Sequence, residues 1–585
     1  MADFRLCVRC SAEYHDPGDR RFHAEPNACP ACGPQLAFRQ QGSPGEAGSS
    51  ALGAAVEALA RGRILAVKGV GGYHLVCDAA NATAVARLRR RKQRPHKPLA
   101  LLAPAAGADG LDLLRQLVEL NDAASAALVS EARTILLLRK RARAPVCAAI
   151  APDLNELGVM LPPSPLHQLL AQEFGKALVA TSGNISGEPV LSDDHEARQR
   201  LAAVAEGWLT HNRRILRPAD DSVARLIAGK PRLLRLGRGM APLELPLAVP
   251  LPHAVVAVGG HMKNSIAIAW EQRVVISPHI GDLGSHRSQQ IFRQVITDLQ
   301  RLYAVEVAAA VCDLHPGYAS SAWAKASGLP LTRVQHHRAH ASALAGEHGR
   351  SDTGVVFAWD GIGLGSDGTL WGGEAFIGAP GKWRHSASLR PLRLAGGDRV
   401  ATQPWRSAAA LHWELDEPYD DGDAQQLAHQ AWRRGVNRAT TTAVGRLFDA
   451  AAAMLGLTQL ASHEGEAPMR LEAAAARITP QQGLPLYADG ALLRIDWQPL
   501  FELLRDKSLS VARRAGEFHA MLAATLCELA LRFHRSEGIN YVGLSGGVLQ
   551  NALLVELIAE QLQRRGIELL LCEHIPVNDG GLAYG

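Results

Sequence analysis

The sequence predicts a multidomain α/β protein with a small cysteine-rich segment at its start, and three observations carry that expectation. At 585 residues the chain exceeds one ordinary hydrophobic core and suggests about three or four domains. Helical patterns alternate with short apolar, β-rich stretches along most of its length, as layered α/β domains require. Two stretches interrupt the alternation: QQGSPGEAGSS (40–50), which is polar, and PLELPLAVPLP (242–252), which has four prolines in eleven residues. Both read as connectors, the second extended because its prolines exclude a helix.

Composition narrows the function classes. Hydrophobic residues make up 47% and charged residues 20%, the balance of a globular protein. Against 57 Asp and Glu there are 62 Lys and Arg, a formal charge of +5 that is too small for this length to argue for a nucleic-acid partner. No apolar run approaches the roughly 18 residues of a membrane span and no charged-then-apolar leader opens the chain, so a soluble, cytoplasmic protein without a membrane partner is expected. The nine cysteines are odd in number and four fall in CxxC pairs, which in a large enzyme points to metal binding rather than a disulfide framework.

The first segment carries Cys7-x-x-Cys10 and Cys29-x-x-Cys32. Two such knuckles place four thiolates around a zinc ion, and a segment this short and polar has little else to fold around. From Ala51 to Leu245, ALGAAVEALARG reads as a helix, RILAVKGV as a strand with Lys68 near its end, and TAVARLRRRK as a helix. The run Arg87–Lys97, RLRRRKQRPHK, holds seven Lys and Arg residues and no acid. It reads either as a solvated or RNA-facing surface or, with Lys68 before it and the strand PLALLAP after it, as one wall of a cleft. ATSGNISGEPV, with Thr181, Ser182 and Asn184, and DDSVARL, with Ser222, set small hydroxyl and amide side chains in turns. Cations beside such donors supply both the charge and the directional hydrogen bonds that a polyphosphate needs.

Beyond residue 253, AVVAVGGHMKNSIAIAWEQRVVISP reads as a β-hairpin and the strand VVFAWD runs into GIGLGSDGTLWGGE. Helices then dominate up to YVGLSGGVLQNALLVELIAEQL, a strand, a Gly turn and a helix, compatible with a duplicated α/β ATPase fold. In Asp360-Gly361-x-Gly363 an acid at a strand end can bind a cation while the glycines let phosphate approach backbone amides. Ser545-Gly546-Gly547 precedes a helix whose N-terminal amides favour an anion, and Asn578-Asp579-Gly580-Gly581 adds another acid. VQHHRAHASALAGEHG (334–349) reads as a strand running into a helix, so that His336 and His340 share a face at i and i+4 while His337 points elsewhere. This spacing can give one cation two imidazoles; it is equally open to a general base or to packing. Two imidazoles and two carboxylates beside Gly-rich loops fit a metal-assisted ATP or acyl-phosphate site.

Together these segments resemble the HypF family of carbamoyltransferases, which serve the maturation of nickel-iron hydrogenases. The resemblance runs through DPGDRRFHAEPNACPACGP in the first segment and KGVGGYHLVCDAAN, RRKQRPHKPLALL and TSGNISGEPV in a YrdC-like part. It continues with SPHIGDL, HPGYASSAWA, QHHRAHASALAGEHG, DGIGLGSDGTLWGGE, GRLFDA, LSGGVLQN and NDGG in a TsaD-like part of the actin-like ATPase type. It implies a zinc-finger-like segment over 1–50, a YrdC-like adenylation domain over 51–245 and a TsaD-like carbamoyl-transfer domain over 253–585.

The resemblance also implies roles. Cys7, Cys10, Cys29 and Cys32 would hold a structural zinc, and His336, His340, Asp360 and Asp579 a second divalent cation, iron, zinc or manganese. Nucleotide would bind Lys68, Arg91, Lys92, Thr181, Ser182, Asn184, Ser222 and Arg238 in one domain and Gly363, Asp449, Gly546, Gly547 and Asn551 in the other, with Lys68, His336, His340 and Asp360 as the catalytic residues. In proteins of this type, carbamoyl phosphate and ATP, the latter with magnesium, yield carbamoyl-adenylate in the YrdC-like domain. The carbamoyl group then passes through the TsaD-like domain to the C-terminal cysteine of HypE, on the way to a cyanide ligand of the hydrogenase iron.

Full-length members begin with an acylphosphatase-like domain and carry two CxxC repeats, whereas this chain starts just before what resembles the second repeat; a truncated form is expected, with carbamoyl phosphate cleaved elsewhere. It ends at NDGGLAYG, where the family continues for a short helix. Antibiotic-type O-carbamoyltransferases share the YrdC-like and TsaD-like pair but act on a small-molecule hydroxyl; the four-cysteine segment with DPGDRRFHA favours HypF over them. A zinc-ribbon RNA-binding or scaffold protein would need broken phosphate loops, and none is visibly broken.

Overall fold

The computed structural model describes residues 3–40, 45–185, 187–419 and 422–585. Ahead of Leu36 the chain forms one helix, Val8–His15, and otherwise turns. Among the described residues this segment buries Cys10 and Asn27 but no large apolar side chain, so it has no hydrophobic core of its own.

The strand Leu36–Gln40 pairs antiparallel with Gly207–His211 and with Glu46–Ala47, and the helix Ser49–Ala60 follows. The stretch 40–50 is therefore not a free connector: residues 41–44 lie outside the described residues, and what flanks them belongs to a hairpin and a helix. Phe38 is the reason. It is buried in one core with Ala51, Ala55 and Leu59 of that helix, which fastens its strand to the sheet.

That sheet has eleven strands. Tyr73–Asp78 lies in it between Leu65–Lys68 and Leu178–Ser182, and the hairpin of Val223–Ile227 and Lys230–Arg235 forms the edge opposite Leu36–Gln40. Alternate residues of Leu65–Lys68 face two separate cores, Ala66 toward Leu88 of the helix Ala82–Arg91, Leu65 and Val67 toward Leu59 of Ser49–Ala60.

The proline-rich stretch is extended, as expected, but it is no connector: Leu243–Ala257 is one strand of 15 residues, paired along most of its length with Ala267–Ile276. Its second neighbour, Ala309–Asp313, begins to pair only at Val255, so the prolines lie where the strand is an edge and a missing N–H costs no ladder bond.

Two sheets of related design follow. In the first, the antiparallel pair Ala267–Ile276 and Leu243–Ala257 is continued by the parallel strands Ala309–Asp313 and Leu331–Val334. In the second, Arg384–Leu389, Leu370–Gly378 and Gly354–Leu364 run antiparallel, and Val542–Ser545 and Leu569–Leu571 add in parallel. A hairpin followed by two parallel strands thus occurs twice, which is the duplicated α/β architecture. The helix His336–Glu347 leaves the first sheet and packs on the second, with Ala341, Leu344 and Ala345 in one core with Val355, Val356 and Phe357. Among the described residues no helix is long and apolar enough to cross a membrane.

Phe357 is fully buried at the centre of this core. Phe357→Ala is expected to cost about 3–5 kcal/mol, read as a lower denaturation midpoint of the C-terminal part in chemical unfolding.

Candidate active site and metal centres

The four cysteines converge as the spacing predicts. Their sulfurs lie within 4.8 Å of one another, Cys7 Sγ being 3.7 Å from Cys29 Sγ and Cys29 Sγ 3.8 Å from Cys32 Sγ. A tetrahedron with zinc–sulfur bonds of about 2.3 Å has edges of about 3.8 Å, so the donor set fits zinc and leaves no open position. Backbone N–H groups of Ala31 and Cys32 hold the Cys29 thiol down to about 6, the direction a metal ligand needs. Gly33 permits the tight turn, since a Cβ there would sit 3.0 Å from the Cys29 carbonyl oxygen.

In the eleven-stranded sheet, the end of Leu178–Ser182 meets the end of the basic helix. Lys92 Nζ donates to the Ser182 carbonyl and to Asn184 Oδ1 at 2.8 Å, Ser182 Oγ donates to Asn184 Oδ1 at 2.9 Å, and Arg94 Nη1 donates to Thr181 Oγ1 at 3.0 Å. Desolvation, and after it the neighbouring cations, lower Lys92 to about 7, Lys97 to about 8 and Arg94 to about 10. Among the described residues the Lys97 ammonium makes no hydrogen bond or ion pair, and its side chain is exposed. An unpaired cation there, beside other cations, is open to a ligand with several negative charges.

The third cluster joins the two related sheets. His336 and His340 stand at the start of their helix, with Asp360 on Gly354–Leu364 and Asp579 on the last turn. His336 Nε2 lies 3.3 Å from Asp360 Oδ2 and 3.8 Å from Asp579 Oδ1; His340 Nε2 lies 3.7 Å from each. Nitrogen and oxygen donors about 2.1 Å from one ion are separated by about 3–4 Å, so these residues fit a divalent cation. His340 Nε2 is buried with no hydrogen-bond partner, as a ligand atom would be. Gly547 N–H donates to Asp360 Oδ1 at 3.0 Å, leaving Oδ2 to face the imidazoles. Burial opposes charge on His336, but the carboxylates of Asp313 and Asp360 outweigh it and hold its pKa well above the usual value, whereas burial pushes His337 well below.

Other expected site residues are held elsewhere. Lys68 ends its strand with Nζ on Asp194 Oδ1 at 2.7 Å and the His211 carbonyl at 2.9 Å, so its ammonium is already paired away from Thr181 and Asn184. Arg91, one residue and about 100° around the helix from Lys92, turns to the Val204 carbonyl and to Glu206. Ser222 Oγ bridges the Arg238 carbonyl and Gly237 N–H, and the Arg238 guanidinium spans Asp221, Ala132 and Arg133. Asn551 caps the helix Ala552–Gln563 and bonds His519. Gly363 and Gly546 serve close packing rather than an open phosphate loop: a Cβ on Gly363 would lie 2.7 Å from the His336 and His337 rings, and one on Gly546 2.3 Å from the Trp359 carbonyl oxygen. Asp449 pairs with Arg446 at 2.9 Å, and burial pushes it up to about 6.

Known proteins share this arrangement throughout. Family models match as the HypF finger over 6–38, the Sua5/YciO/YrdC domain described as telomere recombination over 57–237, the HypF Kae1-like domain over 251–347, and the second Kae1-like subdomain of carbamoyltransferases over 356–585. Carbamoyltransferase HypF of Rhodobacter capsulatus is 42% identical over an alignment spanning 100% of this chain and 79% of that protein. This chain belongs to the HypF carbamoyltransferase family. The HypF of Synechocystis is 39% identical, covering 100% of this chain and 85% of its own. A full-length HypF crystal structure in a phosphate- and nucleotide-bound form superposes with a TM-score of 0.94 at 33% identity, covering 100% of this chain and 77% of that one. The crystal structure of T. kodakarensis HypF gives 0.92 at 31% identity, with 100% and 78% covered.

Three residues of this HypF-family enzyme escaped the sequence reading. Arg94 and Lys97 lie two and five residues past Lys92 in the same basic run, a signal that was present but undivided. Asp313 ends the strand Ala309–Asp313 and its Oδ2 accepts from His336 Nδ1 at 2.7 Å, which turns Nε2 toward the cation position. Its only sequence signal is an acid at a strand end, before HPG.

Two outcomes are expected. Cys7→Ser and Cys29→Ser should each lose about one zinc per chain by metal analysis, because a closed thiolate set does not survive loss of a ligand. Asp313→Asn should weaken divalent-metal affinity at the histidine centre by about 10–100-fold, read by metal titration, with zinc in the finger unchanged.

Proposed function

We propose that this enzyme forms carbamoyl-adenylate at the basic cleft of Lys92, Arg94, Lys97, Thr181, Ser182 and Asn184 and transfers its carbamoyl group at the centre of His336, His340, Asp360 and Asp579. The acceptor in this reading is the C-terminal cysteine of HypE, and the pathway is the maturation of nickel-iron hydrogenase. The observation that carries it is the pair of donor sets: the Lys92–Asn184 and Arg94–Thr181 bonds with an unpaired Lys97 ammonium in the first domain, and two imidazoles with two carboxylates within 4.8 Å of one another in the second.

In the first step a carbamate oxygen, released from carbamoyl phosphate by hydrolysis, attacks the α-phosphorus of magnesium-bound ATP and pyrophosphate leaves. Lys97 and Arg94 neutralise the charge that develops on the leaving group, and Thr181 and Asn184 orient it. In the second step the acceptor thiolate attacks the carbamoyl carbon, the carbon–oxygen bond to the phosphate breaks, and AMP leaves. A cation on the two imidazoles and two carboxylates would orient and neutralise the adenylate phosphate there. Asp313 keeps His336 Nδ1 protonated and Nε2 free to ligate. The finger holds zinc in a structural capacity.

Lys97→Ala is expected to reduce ATP–pyrophosphate exchange by about 10²–10³-fold, with carbamoyl phosphate or carbamate as the second substrate. His340→Ala should retain most of the exchange yet fail to carbamoylate an acceptor cysteine, scored by mass spectrometry. The reverse pattern would exchange the roles of the two sites. Because desolvation lowers Lys97 to about 8, its charge is nearly complete about one unit below that pH and is lost as pH rises through it. Affinity for ATP should therefore fall as pH rises from 7 to about 9, and Lys97→Arg should flatten the profile.

A further inference from the structure

The edge hairpin of the eleven-stranded sheet reaches across to the Gly547–Gln550 turn, which bonds the ligand Asp360, and to the turn that carries the ligand Asp579. Arg225, on Val223–Ile227, is the main contact. Its guanidinium makes a two-pronged pair with Glu156 of its own sheet, through Nε at 3.1 Å and Nη2 at 2.9 Å. Its Nη1 donates to Glu472 Oε2 at 2.9 Å and to the Gln550 carbonyl at 2.8 Å, both in the TsaD-like part. Glu472 Oε1 accepts from Leu553 N–H at 3.1 Å, so the start of the helix after the glycine loop is held from the same side.

From Gln550 the connections lead directly to the centre. Its Nε2 donates to the Gly547 carbonyl at 2.8 Å, and Gly547 N–H donates to Asp360 Oδ1. Its Oε1 accepts from Asn578 Nδ2, which also donates to the Leu234 carbonyl of the hairpin's other strand, each at 3.0 Å. Asn578 is the neighbour of Asp579. Both carboxylate ligands are thus referenced to one hairpin of the adenylation domain; the imidazole helix His336–Glu347 meets the same hairpin at its far end, where Ile227 shares a core with Ala341 and Leu344 and Arg232 bonds the Leu571 and Cys572 carbonyls. The hairpin's base is anchored in the interior of its own domain, since Asp221 bonds His74 Nε2 at 2.8 Å just before it and Arg235 Nε donates to the Asp221 carbonyl.

We propose that Arg225 is a positioning residue for the transfer centre: by fixing the Gly547–Gln550 turn it aims Asp360, and the hairpin makes a competent cation site depend on docking of the adenylation domain. The cation part of this inference stands on geometry alone; its consequence for carbamoyl transfer rests on the reading of the two sites given above. Arg225 touches neither substrate nor cation.

The test uses the full chain with its finger loaded with zinc, and manganese(II) as the probe of the centre, followed by electron paramagnetic resonance of the free ion. Arg225→Lys keeps the charge but cannot hold Glu156, Glu472 and Gln550 together; Glu472→Gln removes one anchor while leaving the arginine. Both are expected to weaken manganese binding about tenfold, the size of effect of an orienting contact one step removed from a ligand. Both should also keep ATP–pyrophosphate exchange within about twofold of the parent while releasing more AMP per carbamoyl group delivered to an acceptor cysteine. Unchanged manganese affinity in both variants would overturn the proposal, as would loss of exchange in parallel with manganese binding, which marks general loosening of the fold. An unmodified chain without exchange activity would remove the adenylation reading and leave the manganese result to decide this one.

Discussion

The docking of the helix His336–Glu347 on the strand Gly354–Leu364 is the contact on which the centre of two histidines and two aspartates depends. Ala341, Leu344 and Ala345 bury against Val355, Val356 and Phe357, and a run of small residues is what lets a helix come this close to a sheet. Gly543, on the neighbouring strand, would carry a Cβ only 2.4 Å from Leu344 Cδ2, so the approach is set by the absence of a side chain as much as by the presence of apolar ones. Once the helix is seated, the two imidazoles at its start overlie the irregular part of the strand where Asp360 sits. The chemistry at that end follows from packing several residues away.

The centre is also expensive to assemble, and its surroundings show how the cost is met. Burying two carboxylates is unfavourable unless each oxygen has a partner. Asp360 has the Gly547 amide on one oxygen and imidazoles on the other; Asp313, itself nearly buried, has His336 and the amide of His315. Gly547 is part of this arrangement, because a Cβ there would lie 2.7 Å from Asp360 Oδ1. The basic cleft shows the same logic with the opposite sign: there Lys92 is desolvated, with Arg94 and Lys97 beside it, and carbonyl and amide oxygens take the place of acids as its partners.

What the sequence by itself determined is what local spacing encodes. The cysteine pairs, the strand and helix around 331–347 and the alternation of α and β elements are all short-range patterns, and all are found in the fold; Asp360, expected at a strand end, instead lies within Gly354–Leu364, at an irregularity in its pairing. The connector readings failed for the same reason: a polar or proline-rich stretch looks free until Phe38 or the long hairpin at Leu243–Ala257 shows what it pairs with. Only the tertiary structure decided which cations of the run Arg87–Lys97 face the cleft. Adjacent helical residues diverge by about 100°, so Arg91 goes to Glu206 while Lys92 reaches Asn184, and no composition separates them. Partners distant along the chain are equally silent. Asp313 lies 23 residues from His336, and Arg225 lies 325 residues from Gln550. Orientation at such separations is fixed by how whole sheets dock, and a one-dimensional pattern carries no term for that.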